Sequence, residues 1–215
     1  MNKILAVLLL AFFAAGAASA RQHHYADNSP GAFDYYLLNL SWAPEYCAAN
    51  AGRVSSSECD PAHHFGFIVH GLWPENNDGS YPQNCGAASP VSYATVQHMI
   101  TMMPSAGLIQ HEWTRHGTCS GLSAQDYFNQ IETAFRRVQI PPEYRSPRSA
   151  IIASPEEIEQ KFARANNAPA GAFRVVCSRA DLDVEVCLTK DLQYRQCGNR
   201  LRDCSAGQVT LPPAP

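Results

Sequence analysis

The sequence predicts an α+β fold: a single domain in which helices pack a central, mainly antiparallel sheet braced by disulfides. Three observations carry this expectation. Strand-like and helix-like segments follow one another without the regular alternation of a doubly wound parallel sheet. Of the 215 residues 46% are apolar, close to the ~45–50% of globular chains, so a packed core can form, and disorder and low complexity are set aside. Eight cysteines, an even number, all lie downstream of a segment that reads as an export signal.

Residues 1–20 are that segment. Lys3 gives a positive start, an unbroken apolar run extends from Ile4 to Ala15, and Ala18-Ser19-Ala20 supplies the small-x-small pattern of a cleavage site. Twelve apolar residues fall short of the ~20 that span hydrocarbon, so a signal peptide is preferred to a membrane anchor. The mature chain then starts at Arg21 and forms one domain over 21–215, exported to a periplasm or the extracellular space and free of the membrane after cleavage. Loss of Lys3 and of no anion takes the formal charge from −3 to −4. That mild acidity excludes a polybasic protein that holds nucleic acid by bulk electrostatics.

Along the mature chain, Phe33 to Leu40 is aromatic and branched-apolar and reads as a strand ending near Ser41-Trp42-Ala43-Pro44. His64 to His70 is apolar on both faces, which predicts a strand central in its sheet that delivers His70 at its end. The Pro-, Asn- and Gly-rich stretch from Pro74 to Pro90 reads as a long surface loop. Ser123 with Asp126 opens an apolar-periodic helix through Tyr127, Phe128, Ile131, Ala134, Phe135 and Val138. Ser154, Pro155 and Glu157 open another through Ile158, Phe162 and Ala165. Phe173 to Cys177 and Leu182 to Leu188 are two further strand candidates.

In an oxidising compartment Cys47, Cys59, Cys85, Cys119, Cys177, Cys187, Cys197 and Cys204 imply up to four disulfides. No pair has the close spacing of a structural zinc site, so no metal is expected at these sulfurs. Spacing leaves 105 connectivities open.

Two short segments concentrate the chemistry: His70-Gly71-Leu72-Trp73-Pro74 and His111-Glu112-Trp113-Thr114-Arg115-His116-Gly117-Thr118-Cys119. On a helix, about 100° per residue places His111, Arg115, Glu112 and His116 within one arc of about 140°, with Trp113 outside it and free to pack inward. A zincin would need histidines four apart, and here they are five apart. A thiol hydrolase would need Cys119 free, which the even cysteine count disfavours, and a serine hydrolase lacks a G-x-S-x-G elbow. An ordinary charged surface helix is the remaining bland alternative. Two histidines, a cation and a carboxyl suit metal-free phosphoryl transfer: one imidazole takes a proton, another gives one, and the cation neutralises charge building on phosphorus oxygens.

These two segments resemble the active-site signatures of the ribonuclease T(2) family of exported acid endoribonucleases, here in a bacterial member. The resemblance extends to Phe33–Cys47 and to Glu185-Val186-Cys187 with Cys197, and so covers most of the mature chain. It implies that His116 is the general base on the ribose 2′-hydroxyl, His70 the general acid on the leaving 5′-oxygen, and His111 a phosphate-binding residue. Glu112 and Arg115 match the pair that stabilises pentacoordinate phosphorus. The family usually has lysine at the position of Arg115, and guanidinium keeps the charge while adding a planar fork. Trp73, with Glu75 and Tyr81, matches a base-binding subsite, where stacking is the physical reason for aromatic side chains.

The implied activity is cleavage of single-stranded RNA to 2′,3′-cyclic phosphates and then 3′-phosphates, with little base specificity, no cofactor and no stable DNA binding, by a monomer. The alternative is a catalytically silent exported RNA-binding or interaction protein on the same fold. By the same analogy the bridges are Cys85–Cys119, Cys187–Cys197, Cys177–Cys204 and Cys47–Cys59. An imidazole pair working near ~6.5 implies a mildly acidic to neutral optimum.

Overall fold

The computed structural model describes residues 27–51, 57–60, 62–177, 182–198 and 203–214. The signal peptide read over residues 1–20 and the mature terminus at Arg21 lie outside the described residues.

Strand β1 (Tyr35–Trp42) runs into helix α1 (Ala43–Ala49), with Pro44 in its first turn. Strand β2 (Phe67–Glu75) follows, then α2 (Tyr93–Met99) and α3 (Ala106–Arg115). Helix α4 (Ala124–Arg137) is capped by Ser123, whose side chain accepts from the Asp126 amide. The short strand β3 (Ile151–Ala153) leads to α5 (Pro155–Ala165), where Ser154 and Glu157 close a reciprocal capping box. Strands β4 (Phe173–Cys177), β5 (Leu182–Leu188) and β6 (Val209–Leu211) complete the order, β6 pairing with β3 in a separate two-stranded sheet.

The main sheet has the order β2-β1-β5-β4 with every neighbour antiparallel, so the α+β expectation holds. Two expectations about β2 need correction. It is an edge strand, and His70 is its fourth residue of nine, since pairing continues to Glu75 opposite Tyr35. Its apolar run reports cover on both faces and at its edge, where the Val69 amide donates to the Met102 carbonyl, and a central position was not needed to explain it. The surface loop accordingly begins after Glu75.

Strand alternation divides the sheet into two faces. Tyr36, Leu38, Leu40 and Trp42 of β1 and Leu182, Val184, Val186 and Leu188 of β5 enter the main core, with Phe128, Ile131, Ile158 and Phe162 from the helices packed over them. The odd positions of β1 and β5, among them Leu37, Asn39, Ser41, Asp183 and Glu185, lie on the opposite face. In β2 the phase changes at His70: Asn39 pairs with Gly71 and Leu40 with Val69, which leaves His70 as an extra residue in a β-bulge. Phe67 and Val69 before it and Leu72 after it therefore all reach the core, while His70, Trp73 and Glu75 turn to the other side.

The bridges are Cys47–Cys59, Cys85–Cys119, Cys177–Cys204 and Cys187–Cys197, the pairs that the resemblance implies. Cys85–Cys119 ties the loop after β2 to the end of α3, where the Asn84 amide also donates to the Arg115 carbonyl. It closes a loop of separation 34, for which chain entropy gives about 3–4 kcal/mol. A Cys85→Ala/Cys119→Ala double variant is expected to lose about that much stability in urea unfolding; a loss under about 1 kcal/mol would contradict this account.

Candidate active site

Helix α3 starts at Ser105, whose hydroxyl accepts from the Leu108 amide, and it ends with His116 as its C-cap before a 3₁₀ turn over Gly117–Ser120. Ile109 and Trp113 enter the core, which turns the other arc of the helix toward the sheet. Gly71 and Gly117 make the close fit possible. A Cβ on Gly71 would overlap the Glu112 carboxyl group and the Trp73 indole, and one on Gly117 would meet the Trp113 and Tyr127 rings at 2.5–2.9 Å.

The structure brings His70, Trp73, Glu75, Tyr81, His111, Glu112, Arg115 and His116 together around one cleft of about 620 Å³, completed by Leu37, Gly79, Val176 and Glu185. Of these, His111 is exposed and Tyr81 stands at the rim with 42% of its surface accessible, whereas Glu75, Glu112 and His116 are buried. Glu75 belongs to β2 and lies outside the loop that was read to contain it. Trp73 ties the site together: its ring stacks on His116 at 5.1 Å and meets His70 edge-on at 5.5 Å, while its Nε1 donates to Glu112 Oε2 at 2.7 Å. His70 Nε2 lies 3.6 Å from Glu112 Oε1, and its Nδ1 lies 3.1 Å from Ser41 Oγ.

Burial sets the protonation states. Desolvation, followed by the positive neighbours Arg115, His111 and His70, pushes His116 down to about 3. The His116 Nδ1 is also buried without a hydrogen-bond partner, which further disfavours an imidazolium there. Glu112 is pushed up to about 8 by desolvation, against the opposing pull of the Trp73 hydrogen bond and Arg115. Below that pH it is a neutral carboxylic acid able to donate a hydrogen bond. Glu75 and Glu185 are likewise raised to about 8, first by burial; for Glu75 the next cause is the Glu185 charge, and for Glu185 it is the Asp183 charge.

A second cavity of about 310 Å³ shares only His70 with the first and is lined by Ser41, Tyr46, Glu58, Ile68, Leu108 and Asp183 among others. Burial raises Glu58 to about 7. Sequence reasoning missed Asn39, Ser41, Glu58, Asp183 and Glu185. A signal existed for four of them, because polar residues at odd positions of Leu37–Trp42 and Leu182–Leu188 mark one strand face, yet alternation alone reads such a face as solvated. Among the described residues, no group of three or more His, Cys, Asp or Glu side chains is arranged to hold a metal ion.

The model of the Ribonuclease T2 family matches residues 33–197. The chain belongs to the ribonuclease T2 family. A ribonuclease from Aeromonas hydrophila is 39% identical over 142 residues, 66% of this chain and 61% of that protein. A probable ribonuclease from Haemophilus influenzae is 31% identical over 133 residues, 56% of this chain and 49% of that protein. The matched region thus spans about half to three fifths of these relatives' length. Among solved structures, an RNase-related protein from Calystegia sepium superposes with a TM-score of 0.69 at 23% identity, covering 85% of this chain and 98% of its own. RNase NT in complex with 5′-AMP superposes with a TM-score of 0.63 at 21% identity, covering 84% and 98%. These two likenesses show a shared fold over most of the chain.

The buried acids of this family member make a stability prediction. Glu58, Glu75, Glu112 and Glu185 titrate higher folded than unfolded, so their contribution is full below about 4.5 and is lost as pH rises toward about 7–8. His116, depressed to about 3, acts oppositely: its contribution is full above the ordinary imidazole value and is lost as pH falls toward 3. Four groups outweigh one, and the Tm is expected to be higher at pH 5 than at pH 8 by several degrees. Calorimetry that finds pH 8 the more stable condition would refute this assignment.

Proposed function

We propose that the protein is an exported, metal-independent endoribonuclease that cleaves single-stranded RNA by transphosphorylation. The observation that carries the reading is one cleft holding two imidazoles on a shared indole, with His116 kept neutral by burial and His70 exposed enough to exchange protons. His116 takes the proton of the ribose 2′-hydroxyl, and the oxygen attacks phosphorus. His70 gives a proton to the 5′-oxygen as the P–O bond breaks, leaving a 2′,3′-cyclic phosphate. With the roles reversed, water opens the cyclic ester to a 3′-phosphate.

The other cleft residues handle charge. Arg115 and His111 offer positive partners to the non-bridging oxygens. A carboxylate beside a phosphorane would repel it, and the protonation of Glu112 removes that conflict by turning the group into a donor. Trp73 braces both histidines, so Tyr81 at the rim supplies the freer ring for a base, with Glu75 in the same cleft. The second cavity, on the far side of His70, offers room for the departing nucleoside. The absence of a 2′-hydroxyl makes DNA inert in this chemistry. The relatives named as ribonucleases and the neighbour solved with 5′-AMP support the same substrate class.

The test is incubation of the purified mature protein with single-stranded RNA in a chelator. Cyclic-phosphate ends are expected, and His70→Ala and His116→Ala should each lower kcat by roughly 10³-fold. Full activity in either variant would refute its role, and binding of RNA with no cleavage by the native protein would favour the silent alternative.

The pH profile provides a second check. With His116 neutral down to about 3, the rate should stay high at pH 5 and fall toward alkaline pH as His70 loses the proton it must donate, and loss of the Glu112 proton above about pH 8 should lower it further. Glu112→Gln, which keeps a donor, should retain more activity than Glu112→Ala; equal activities would remove the donor role.

A further inference from the structure

We propose that Ser41, Asn39 and Asp183 form a one-directional relay that holds His70 with its proton on Nδ1, so that Nε2 is the nitrogen that gives up a proton to the leaving oxygen. The inference rests on the general-acid reading of His70.

Sheet register builds the relay. Ser41 and Asn39 share one face of β1, and Ser41 pairs with Asp183 of β5. On the other side, the bulge that releases His70 from pairing falls between the partners of Asn39 and Leu40. The contacts run in sequence: Asn39 Nδ2 to Asp183 Oδ2 at 3.3 Å, Ser41 Oγ to Asn39 Oδ1 at 3.4 Å, and Ser41 Oγ to His70 Nδ1 at 3.1 Å.

The chemistry of the groups fixes the direction. An ionised carboxylate only accepts, so the Asn39 amide must present its NH₂ to Asp183 and its carbonyl oxygen to Ser41. Ser41 must then donate its one hydroxyl proton to Asn39, which leaves its oxygen to accept from His70 Nδ1–H. Each link points toward the carboxylate, and Asn39 is only 1% exposed, so water does not compete for its amide. When Nε2–H breaks and O5′–H forms, the P–O5′ electron pair leaves with oxygen and the imidazole becomes the Nδ1–H tautomer that the relay already favours. A hydrogen bond at Nδ1 also favours the protonated ring before transfer.

The other titratable or charged groups on the two cavities that His70 lines are His111, Glu112 and Arg115 on α3, His116 at its cap, Glu75 of β2 and Glu185 of β5 in the larger cleft, and Glu58 in the smaller one. None of these pairs with Nδ1 in the contacts above, so the relay acts on His70 from the sheet side while they act from the cleft sides.

Two substrates separate positioning of the acid from general damage. A dinucleoside monophosphate has a poor alkoxide leaving group and needs the acid, whereas a nucleoside 3′-(4-nitrophenyl phosphate) has a good leaving group and does not. Ser41→Ala should lower kcat on the dinucleotide roughly tenfold, with KM little changed and the alkaline limb moved to lower pH by roughly half a unit, while kcat on the nitrophenyl ester changes by less than about twofold. Ser41→Thr, which restores the hydroxyl, should recover most of the loss, and Asp183→Asn should move the dinucleotide rate in the same direction. An equal loss on both substrates, or no loss on either, overturns the relay. His70→Ala is the control: if it cleaves the dinucleotide at the native rate, the general-acid reading itself fails, and if it loses that activity while Ser41→Ala keeps it, only the relay fails.

Discussion

The bulge at His70 is the constraint on which the rest of the site depends. A regular β2 would keep alternating, and the odd-numbered phase that carries Phe67 and Val69 into the core would carry Trp73 and Glu75 there as well. One extra residue reverses that phase. Leu72 fills the core position, and Trp73 and Glu75 join His70 on the cleft face. The indole can then hold both imidazoles and the Glu112 carboxyl at once. Gly71, immediately after the bulge, leaves the volume that Glu112 occupies.

A second consequence is electrostatic. The cleft gathers carboxyl groups on the buried face of a sheet and brings them against helix α3, so desolvation works on acids and bases together. Burial removes charge from Glu112, Glu75 and Glu185 and keeps His116 neutral. The same low polarity that costs stability at high pH thus leaves one imidazole neutral and one carboxyl group able to donate a hydrogen bond. On the proposed reaction Arg115 and His111 are the cations set against phosphate, and a chain with a formal charge of −3 is then compatible with an anionic polymer as a transient substrate. Electrostatic grip over many phosphates would need a basic surface, whereas turnover at one phosphate needs a few local cations.

Much of this was legible before any coordinates. The signed starts at Ser123 and Ser154 became the caps of α4 and α5, because a side-chain oxygen that satisfies an orphan amide is a local event. The helical arc of His111, Glu112, Arg115 and His116 held for the same reason, since helix geometry fixes which side chains share a face. The position of β2 at the sheet edge was not legible, because an apolar run records how well a strand is covered and not what covers it. The roles suggested by Asn39, Ser41, Asp183 and Glu185 were equally hidden. Their alternation is that of any half-buried strand, and the groups that meet them, among them His70 at Ser41 and Asp183 at Asn39, come from segments distant in the chain.

Sequence by itself determined the α+β class, the two motifs and the residue types able to move protons and meet phosphate, because these follow from local periodicity and side-chain chemistry. Tertiary structure alone decided which faces are dry, that β2 slips by one residue at His70, and which nitrogen of that ring points to the cleft. Those properties arise between segments: the neighbours that bury Glu112, or that reach His70 Nδ1 through Ser41, lie 39 and 29 residues away in the chain from the groups they bond. Desolvation and register depend on such long-range contacts, and no local pattern encodes them.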